Sequence, residues 1–379
     1  MRILYGVHGY GRGHAMRSTA IVQELMKQNH HIQILAGGDA YSAISPDHPV
    51  TRIPTFGFAY GPGTGKRSNF HTFRKNFSAA WDLLLGGPTF DMVTNIMQEF
   101  APDIVNSDAE AWTHRVAQFL KVPRISIDHI GILAYCRPKI DWKDRIEAII
   151  DTYTYKTLMG KPERIIVSSF YDAPPRRRGV KVVGTMVREE VHQVTPTNGD
   201  HLLVYFNKGR YQLNKKILKA LQLAGCPVRI YGGNQKGRDG NLTFLPLSNL
   251  PFLEDLASCR AVISTAGNQL MGEAIYLGKP CLVIPERCVE QRLNGAAVQR
   301  LGIGMRATPR RLTAKKIREF LSRHDEFTTN MKQYVRDGLQ ETMAALETFM
   351  DELVGESTQV QPTDGNHAGP PPMTVQATR

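Results

Sequence analysis

The stretch Ser264 to Gly302, STAGNQLMGEAIYLGKPCLVIPERCVEQRLNGAAVQRLG, gathers in one unit the residue types that bind a phosphate and a sugar. Ala266, Gly267 and Asn268 open a short helix, whose free N–H groups and positive dipole end face whatever lies ahead; small residues let a phosphate come close. Glu273 follows on the same helix, placed to accept from both hydroxyls of a ribose. After the next strand come Glu290 and Gln291, with Asn294 one turn on, acceptors and amides suited to sugar hydroxyls. Phosphate, ribose and sugar together describe a nucleotide sugar.

A second chemical centre lies at the start of the chain. The turn GYGRGH, Gly9 to His14, follows an apolar strand ending at Val7 and precedes a helix with Ile21, Val22, Leu25 and Met26 at helical spacing. A glycine-rich turn there suggests a dinucleotide fingerprint. Two departures weaken that reading: His14 replaces the third glycine of G-x-G-x-x-G, and the strand His31 to Ala36 ends in Gly37 and Gly38 without an acid. Asp108 and Asp128 each close an apolar strand, and ligands of open α/β sheets gather at the carboxyl ends of strands. Both belong near the cleft.

These spaced elements, Ala266-Gly267 with Glu273-Ala274, Gly278-Lys279-Pro280, Val283-Ile284-Pro285 and Glu290-Gln291 with Asn294, resemble the donor-binding signature of GT-B glycosyltransferases. The nearest likeness is to glycosyltransferase family 28 and its uncharacterised bacterial and archaeal relatives. The resemblance implies an α/β protein of the GT-B fold, two Rossmann-like doubly wound domains facing a central cleft. It assigns the diphosphate to Ala266, Gly267 and Asn268, the ribose to Glu273 and the donor sugar to Glu290 and Gln291. It makes Arg188, in the run Gly184 to Arg188, a further contact of the diphosphate, and sets Pro246 and Leu247 near the base through backbone contacts. The amino-terminal turn, with Gly11 and Gly13, becomes the acceptor side. His14 matches the general base there, and Asp108 the aspartate that orients it. A histidine suits that task because its ordinary pKa of about 6.5 leaves it neutral and basic near neutral pH. Bland readings stand beside these: His14 as a helix cap or phosphate ligand, Asp108 as the N-cap of Ala109 to Leu120, and Arg188 as a surface residue of a linker.

The implied reaction is an inverting, metal-independent transfer from a nucleoside-diphosphate sugar to an acceptor hydroxyl. No Asp-x-Asp occurs in the chain, so no metal and no other cofactor is expected. Two rivals share the architecture, a nucleotide-sugar 2-epimerase and a non-catalytic subunit that binds a nucleotide sugar or lipid.

The expected layout is an acceptor domain over residues 1–190, a donor domain over 191–324, a helix crossing back over 325–354 and a disordered tail over 355–379. A helix pair, Thr313 to Ser322 and Phe327 to Leu353, closes the folded part. The 379 residues suffice for two cores, and 42% hydrophobic with 22% charged residues is ordinary globular composition. No apolar run reaches the roughly 20 residues of a membrane span, and a cytoplasmic location is expected, or a peripheral one at the inner face of a membrane. Five cysteines without a Cys-x-x-Cys read as buried thiols.

A net charge of +12 favours an anionic partner. From Thr51 to Ala80 there is no acid, while Lys66, Arg67, Arg74 and Lys75 alternate with Phe70, Phe73 and Phe77. The three phenylalanines share one helix face, which is either a stripe facing the core or a patch for an anionic membrane surface. No nucleic-acid module accompanies it, so nucleic acid is not an expected partner.

Overall fold

The structure is a computed structural model and describes residues 1–59, 68–206, 209–233, 235–246 and 248–359. Two seven-stranded sheets, one after the other in the chain, form its frame. The first contains β1 (Arg2–Val7), β2 (His31–Ala36), β3 (Val50–Arg52), β4 (Ile104–Asp108), β5 (Arg124–Asp128), β6 (Arg164–Ser168) and β7 (Val180–Val183). Its order is β3-β2-β1-β4-β5-β6-β7, parallel throughout. Strands such as β4 and β5 are buried along their whole length, as strands covered by helices on both faces must be.

The second sheet contains β8 (Leu202–Tyr205), β9 (Val228–Tyr231), β10 (Gly237–Asp239), β11 (Leu242–Leu245), β12 (Ala261–Ser264), β13 (Cys281–Val283) and β14 (Gly304–Arg306). Its order is β10-β11-β9-β8-β12-β13-β14, with β10 the antiparallel edge. In each sheet the strand order reverses once beside the first strand, between β1 and β4 and between β8 and β12. The loops leaving those strands diverge there and open a crevice. Register makes the first crevice specific, because Val7 pairs with Asp108, and the residues after Val7 therefore emerge beside that carboxylate.

Helix Arg12–Lys27 begins at Gly11, whose φ of 90° lies where glycine alone is comfortable. Ile21, Val22 and Leu25 join the core over Ile3, Tyr5 and Val7; Met26 at the edge of the stripe is half exposed. Gly9 is forced by proximity, since an added Cβ would lie 2.5 Å from the carbonyl oxygen of Gly37.

The carboxy-terminal part departs from the expected single helix. His324–Met331 ends in a 3-10 turn, Lys332–Tyr334, and the chain restarts as helix Gly338–Gln359. Asp337 explains the restart, because its Oδ1 accepts the amide hydrogen of Leu339 at 3.0 Å and caps the new helix. Leu339, Leu346, Met350 and Leu353 then enter the core of the first sheet. Gly355 does not stop this helix, which continues to Gln359. Where it returns, an added Cβ at Gly338 would lie 2.2 Å from the carbonyl oxygen of Gly184, so the two crossings between the sheets touch backbone to backbone. Four of the five cysteines are buried and Cys226 is half-buried. Among the described residues no helix is long and apolar enough to cross a membrane.

Candidate active site

His14 sits in the first turn of helix Arg12–Lys27, which aims it across the β1–β4 crevice. Its Nδ1 lies 2.8 Å from Oδ1 of Asp108, and the carboxylate is wholly buried. Arg17, one turn further along the same helix and itself buried, grips that carboxylate with both arms of its fork, Nε to Oδ2 at 2.6 Å and Nη2 to Oδ1 at 2.5 Å. Ser18 donates to Oδ2 at 3.1 Å. Burial opposes ionisation of Asp108, but the charge of Arg17 beside it, with the hydrogen bonds from His14 and Arg17, outweighs it and holds the carboxyl at about 2. His8, at the end of β1, meets the His14 ring edge to face with centroids 4.9 Å apart. Burial, then the neighbouring His14, pushes His8 down to about 3 and keeps it neutral.

The alternative role of Asp108 as a helix cap is taken by another residue. Helix Ala111–Leu120 is capped by Glu110, which accepts from Trp112 N at 3.1 Å and Thr113 N at 2.7 Å. Ala109, at φ 48°, reverses the chain between the two acids. Asp108 thereby turns to the crevice and Glu110 to the helix. Burial drives the Glu110 carboxyl up to about 7 against the pull of those N–H groups. Asp128, also buried, accepts from Tyr155 Oη at 2.5 Å and from Gly131 N at 2.6 Å, and acts on Asp108 and Arg17 through its charge.

Helix Asn268–Tyr276 faces this cluster from the second sheet. An added Cβ on Gly13 would find Gln269 as its near neighbour at 3.5 Å, while one on Gly267 would meet nothing within 4 Å. Space therefore lies directly before the helix start, where first-turn N–H groups lack intrahelical acceptors. The Asn268 side chain is turned sideways, its Nδ2 donating to the Ser168 carbonyl at 3.2 Å. Gln269 donates to the Met186 carbonyl at 2.7 Å and to Glu273 at 3.1 Å.

Arg188 and Glu273, assigned from the sequence to different parts of one ligand, meet directly. Arg188 Nε lies 2.8 Å from Oε1 and Nη2 3.1 Å from Oε2, with both residues buried. Burial works against the Arg188 charge, and Glu273 more than restores it. Glu290 accepts from Asn294 Nδ2 at 2.7 Å, and Asn294 also donates to the Ala266 carbonyl at 2.8 Å. Oδ1 of Asn294 lies 3.0 Å from Nε2 of His129, so this group also touches the first sheet's loops. Gln291 instead accepts from Glu286 N at 2.9 Å, closing its own turn. Pro246 is exposed; Leu247, Lys66 and Arg67 lie outside the described residues.

Arg17, His8 and Glu110 were not picked out from the sequence. The stripe facing the core fails: Phe70, Phe73 and Phe77 are 69%, 66% and 51% exposed, continued by Trp81 and Leu84. Helix Asn69–Leu85 packs on helix Arg145–Met159, which exposes Ile146, Ile149, Ile150 and Tyr153, with Trp142 just before it. An open groove of about 620 Å³ lies beside the amino-terminal turn, lined by Gly38, Arg52, Thr55, Pro88 and Met92 among others.

A family model described as Glycosyl transferase family 1 matches residues 1–324. An uncharacterized glycosyltransferase of Methanosarcina acetivorans is 25% identical over 348 residues, 85% of this chain and 90% of that protein. Among solved structures, MurG of Acinetobacter baumannii superposes with a TM-score of 0.60 at 14% identity, covering 92% of this chain and 99% of MurG. Arabidopsis thaliana UGT89C1 complexed with UDP-L-rhamnose superposes with a TM-score of 0.65 at 14% identity, covering 94% and 98%.

Proposed function

The chain belongs to glycosyl transferase family 1 and has the GT-B fold, and from that membership we propose an inverting, metal-independent transfer of a sugar from a nucleoside diphosphate to an acceptor hydroxyl. The contact between His14 and Asp108 at the β1–β4 crevice carries this reading. With Nδ1 hydrogen-bonded to Asp108, Nε2 is the atom left to face an acceptor. It takes the hydroxyl proton as the acceptor oxygen forms its bond to the anomeric carbon. The bond from that carbon to the diphosphate oxygen breaks, and the electron pair leaves with the nucleoside diphosphate. Attack opposite the leaving group inverts the anomeric configuration.

The donor lies over the start of helix Asn268–Tyr276, its diphosphate on the N–H groups of Gly267 and Asn268 and on Arg188. Preorganised donors of this kind stabilise a developing charge without a metal. The ribose goes to Glu273, the sugar to Glu290 and Gln291, and the base beside Pro246. UDP-L-rhamnose in UGT89C1 supports a nucleotide-sugar donor. The groove lined by Arg52, Thr55 and Met92 is the acceptor side. Incubation with a panel of nucleotide sugars and acceptors, with NMR assignment of the product anomer, tests the reading; retained configuration would overturn it.

The acceptor side extends to a membrane surface. Helices Asn69–Leu85 and Arg145–Met159, which pack on each other, both expose apolar side chains, and Arg74, Lys75, Lys143 and Arg145 stand exposed on or just before them, with Asp141 exposed beside Trp142. Aromatic and aliphatic side chains among cations suit the headgroup boundary of an anionic bilayer. A lipid-linked acceptor would meet the crevice from that side.

A further inference from the structure

Three nitrogen and oxygen atoms crowd together behind the His14 ring. Asp108 Oδ1 is 2.8 Å from His14 Nδ1 and 2.5 Å from Arg17 Nη2, and Nη2 is 2.7 Å from Nδ1. A guanidinium can only donate, and an ionised carboxylate can only accept. The contact with Asp108 therefore needs a hydrogen on Nδ1, whereas the contact with Arg17 needs Nδ1 bare. One ring nitrogen cannot satisfy both at once.

The charges matter as much as the hydrogens. A buried carboxylate beside a histidine, with no other cation near, would favour the imidazolium and leave the ring already protonated. Here a bidentate arginine neutralises that carboxylate and sets a positive charge against the same nitrogen.

We propose that Arg17 is a positioning residue: it fixes the Asp108 carboxylate at Nδ1 of His14 and, by setting its own charge against that nitrogen, opposes the gain of a second proton by the ring. His8 at the end of β1 meets the ring edge to face, His129 after β5 also lies within its electrostatic reach, and Asp128 and Tyr5 act on Asp108 and Arg17. Burial drives His8 and His129 towards the neutral form and favours the protonated Asp128 and Tyr5, so among the described residues Arg17 is the cation set against Nδ1. The catalytic consequence rests on the proposed role of His14; the protonation equilibrium does not.

The test is a pH titration of His14 by ¹⁵N-edited NMR on the full, donor-free chain, for the wild type, Arg17→Met and Asp108→Asn. Arg17→Met is expected to move the His14 midpoint to higher pH, because Asp108 then faces the ring alone. Asp108→Asn is expected to move it to lower pH, because the arginine charge is no longer offset. Midpoints unchanged in both variants, or moved the opposite way, overturn the proposal. If Arg17→Met does not fold, Asp108→Asn and Arg17→Lys decide: the charge kept by lysine must hold the midpoint near that of the wild type, and a large upward shift in Arg17→Lys refutes the charge argument.

Turnover supplies the second arm. In Arg17→Met the rate near neutral pH should fall roughly tenfold and recover towards the wild type in alkali, following the base. A loss equal at every pH means Arg17 only holds the fold together and overturns the inference. Midpoints that move as expected while the rate ignores them support Arg17 in this role and refute His14 as the base.

Discussion

Arg188 and Glu273 are joined by two hydrogen bonds, 2.8 and 3.1 Å long, between the crossing that leaves the first sheet and the helix that opens the second sheet's crevice. Glu273 is the main support of the Arg188 charge, and the two are proposed to contact different parts of the donor. On that proposal, binding exchanges an internal ion pair for two external contacts.

Removing one member of such a pair strands the other charge. Glu273→Gln should lower folding stability by about 3 to 5 kcal/mol and also weaken donor binding. The double variant Arg188→Met with Glu273→Leu should regain most of the stability and none of the affinity. Urea denaturation and calorimetry check the two halves, and a Glu273→Gln protein as stable as the wild type would refute the buried pair.

His14→Ala should reduce turnover by about 10²- to 10⁴-fold with donor affinity nearly constant. Asp108→Asn should cost less, since it disturbs only the orientation and charge of the ring. Weaker donor binding with turnover intact at saturation would make His14 a phosphate ligand, not a base.

Glu110 gives stability a pH dependence of definite sign. Its folded pKa, raised to about 7, exceeds the unfolded value of about 4.3, so the folded state binds the proton more tightly. Its contribution is full below the unfolded value and is lost as pH rises towards about 7. Asp108 runs the other way, stabilising above pH about 4 and losing that stabilisation as pH falls through about 2. Over the same window the buried histidines His8, His114 and His129, held neutral in the folded state, run the opposite way, so the sign belongs to a difference between proteins. The stability of the wild type minus that of Glu110→Gln should fall by a few kcal/mol between pH 4 and 8, and a difference that stays constant over this range refutes the assignment.

Transfer activity should survive exhaustive EDTA treatment, because the leaving diphosphate is proposed to rest on N–H groups and Arg188. Activity abolished by EDTA and restored by magnesium or manganese would require a metal at the diphosphate.

The protein should sediment with anionic vesicles at low salt, and the triple variant Phe73→Ser, Phe77→Ser, Trp81→Ser should remain in the supernatant. Adding salt should weaken the wild-type interaction by screening Arg74, Lys75 and Lys143. Equal sedimentation of wild type and variant would free this face from the membrane role.

What could be read from the chain alone was whatever local pattern encodes. Gly278, at φ 67°, ends helix Asn268–Tyr276 where a glycine stop is expected, and the strands ending at Asp108 and Asp128 fall within a few residues of their expected positions. Arg17 was illegible because an arginine in an amphipathic helix ordinarily points to water; only the pairing of β1 with β4 brings an acid beneath it. Helical spacing placed Phe70, Phe73 and Phe77 on one face, but periodicity does not say what covers that face. Asp108 is the expected cap by type and Glu110 is not, yet Glu110 takes the place, because the positive φ of Ala109 turns the two acids apart.

The touching backbones of Gly184 and Gly338 leave no room for a side chain at Gly338. Both chain crossings pass that point, and helix Asn268–Tyr276 is pressed onto it, since an added Cβ at Gly272 would lie 2.2 Å from Cβ of Thr185. The lobes meet again at His129 with Asn294, at Ser168 with Asn268 and at Asp144 with Arg292, so this crossing is one of several fastenings along the seam. A side chain grown at Gly272 or Gly338 would have no room within the seam, and helix Asn268–Tyr276 would have to move to make it.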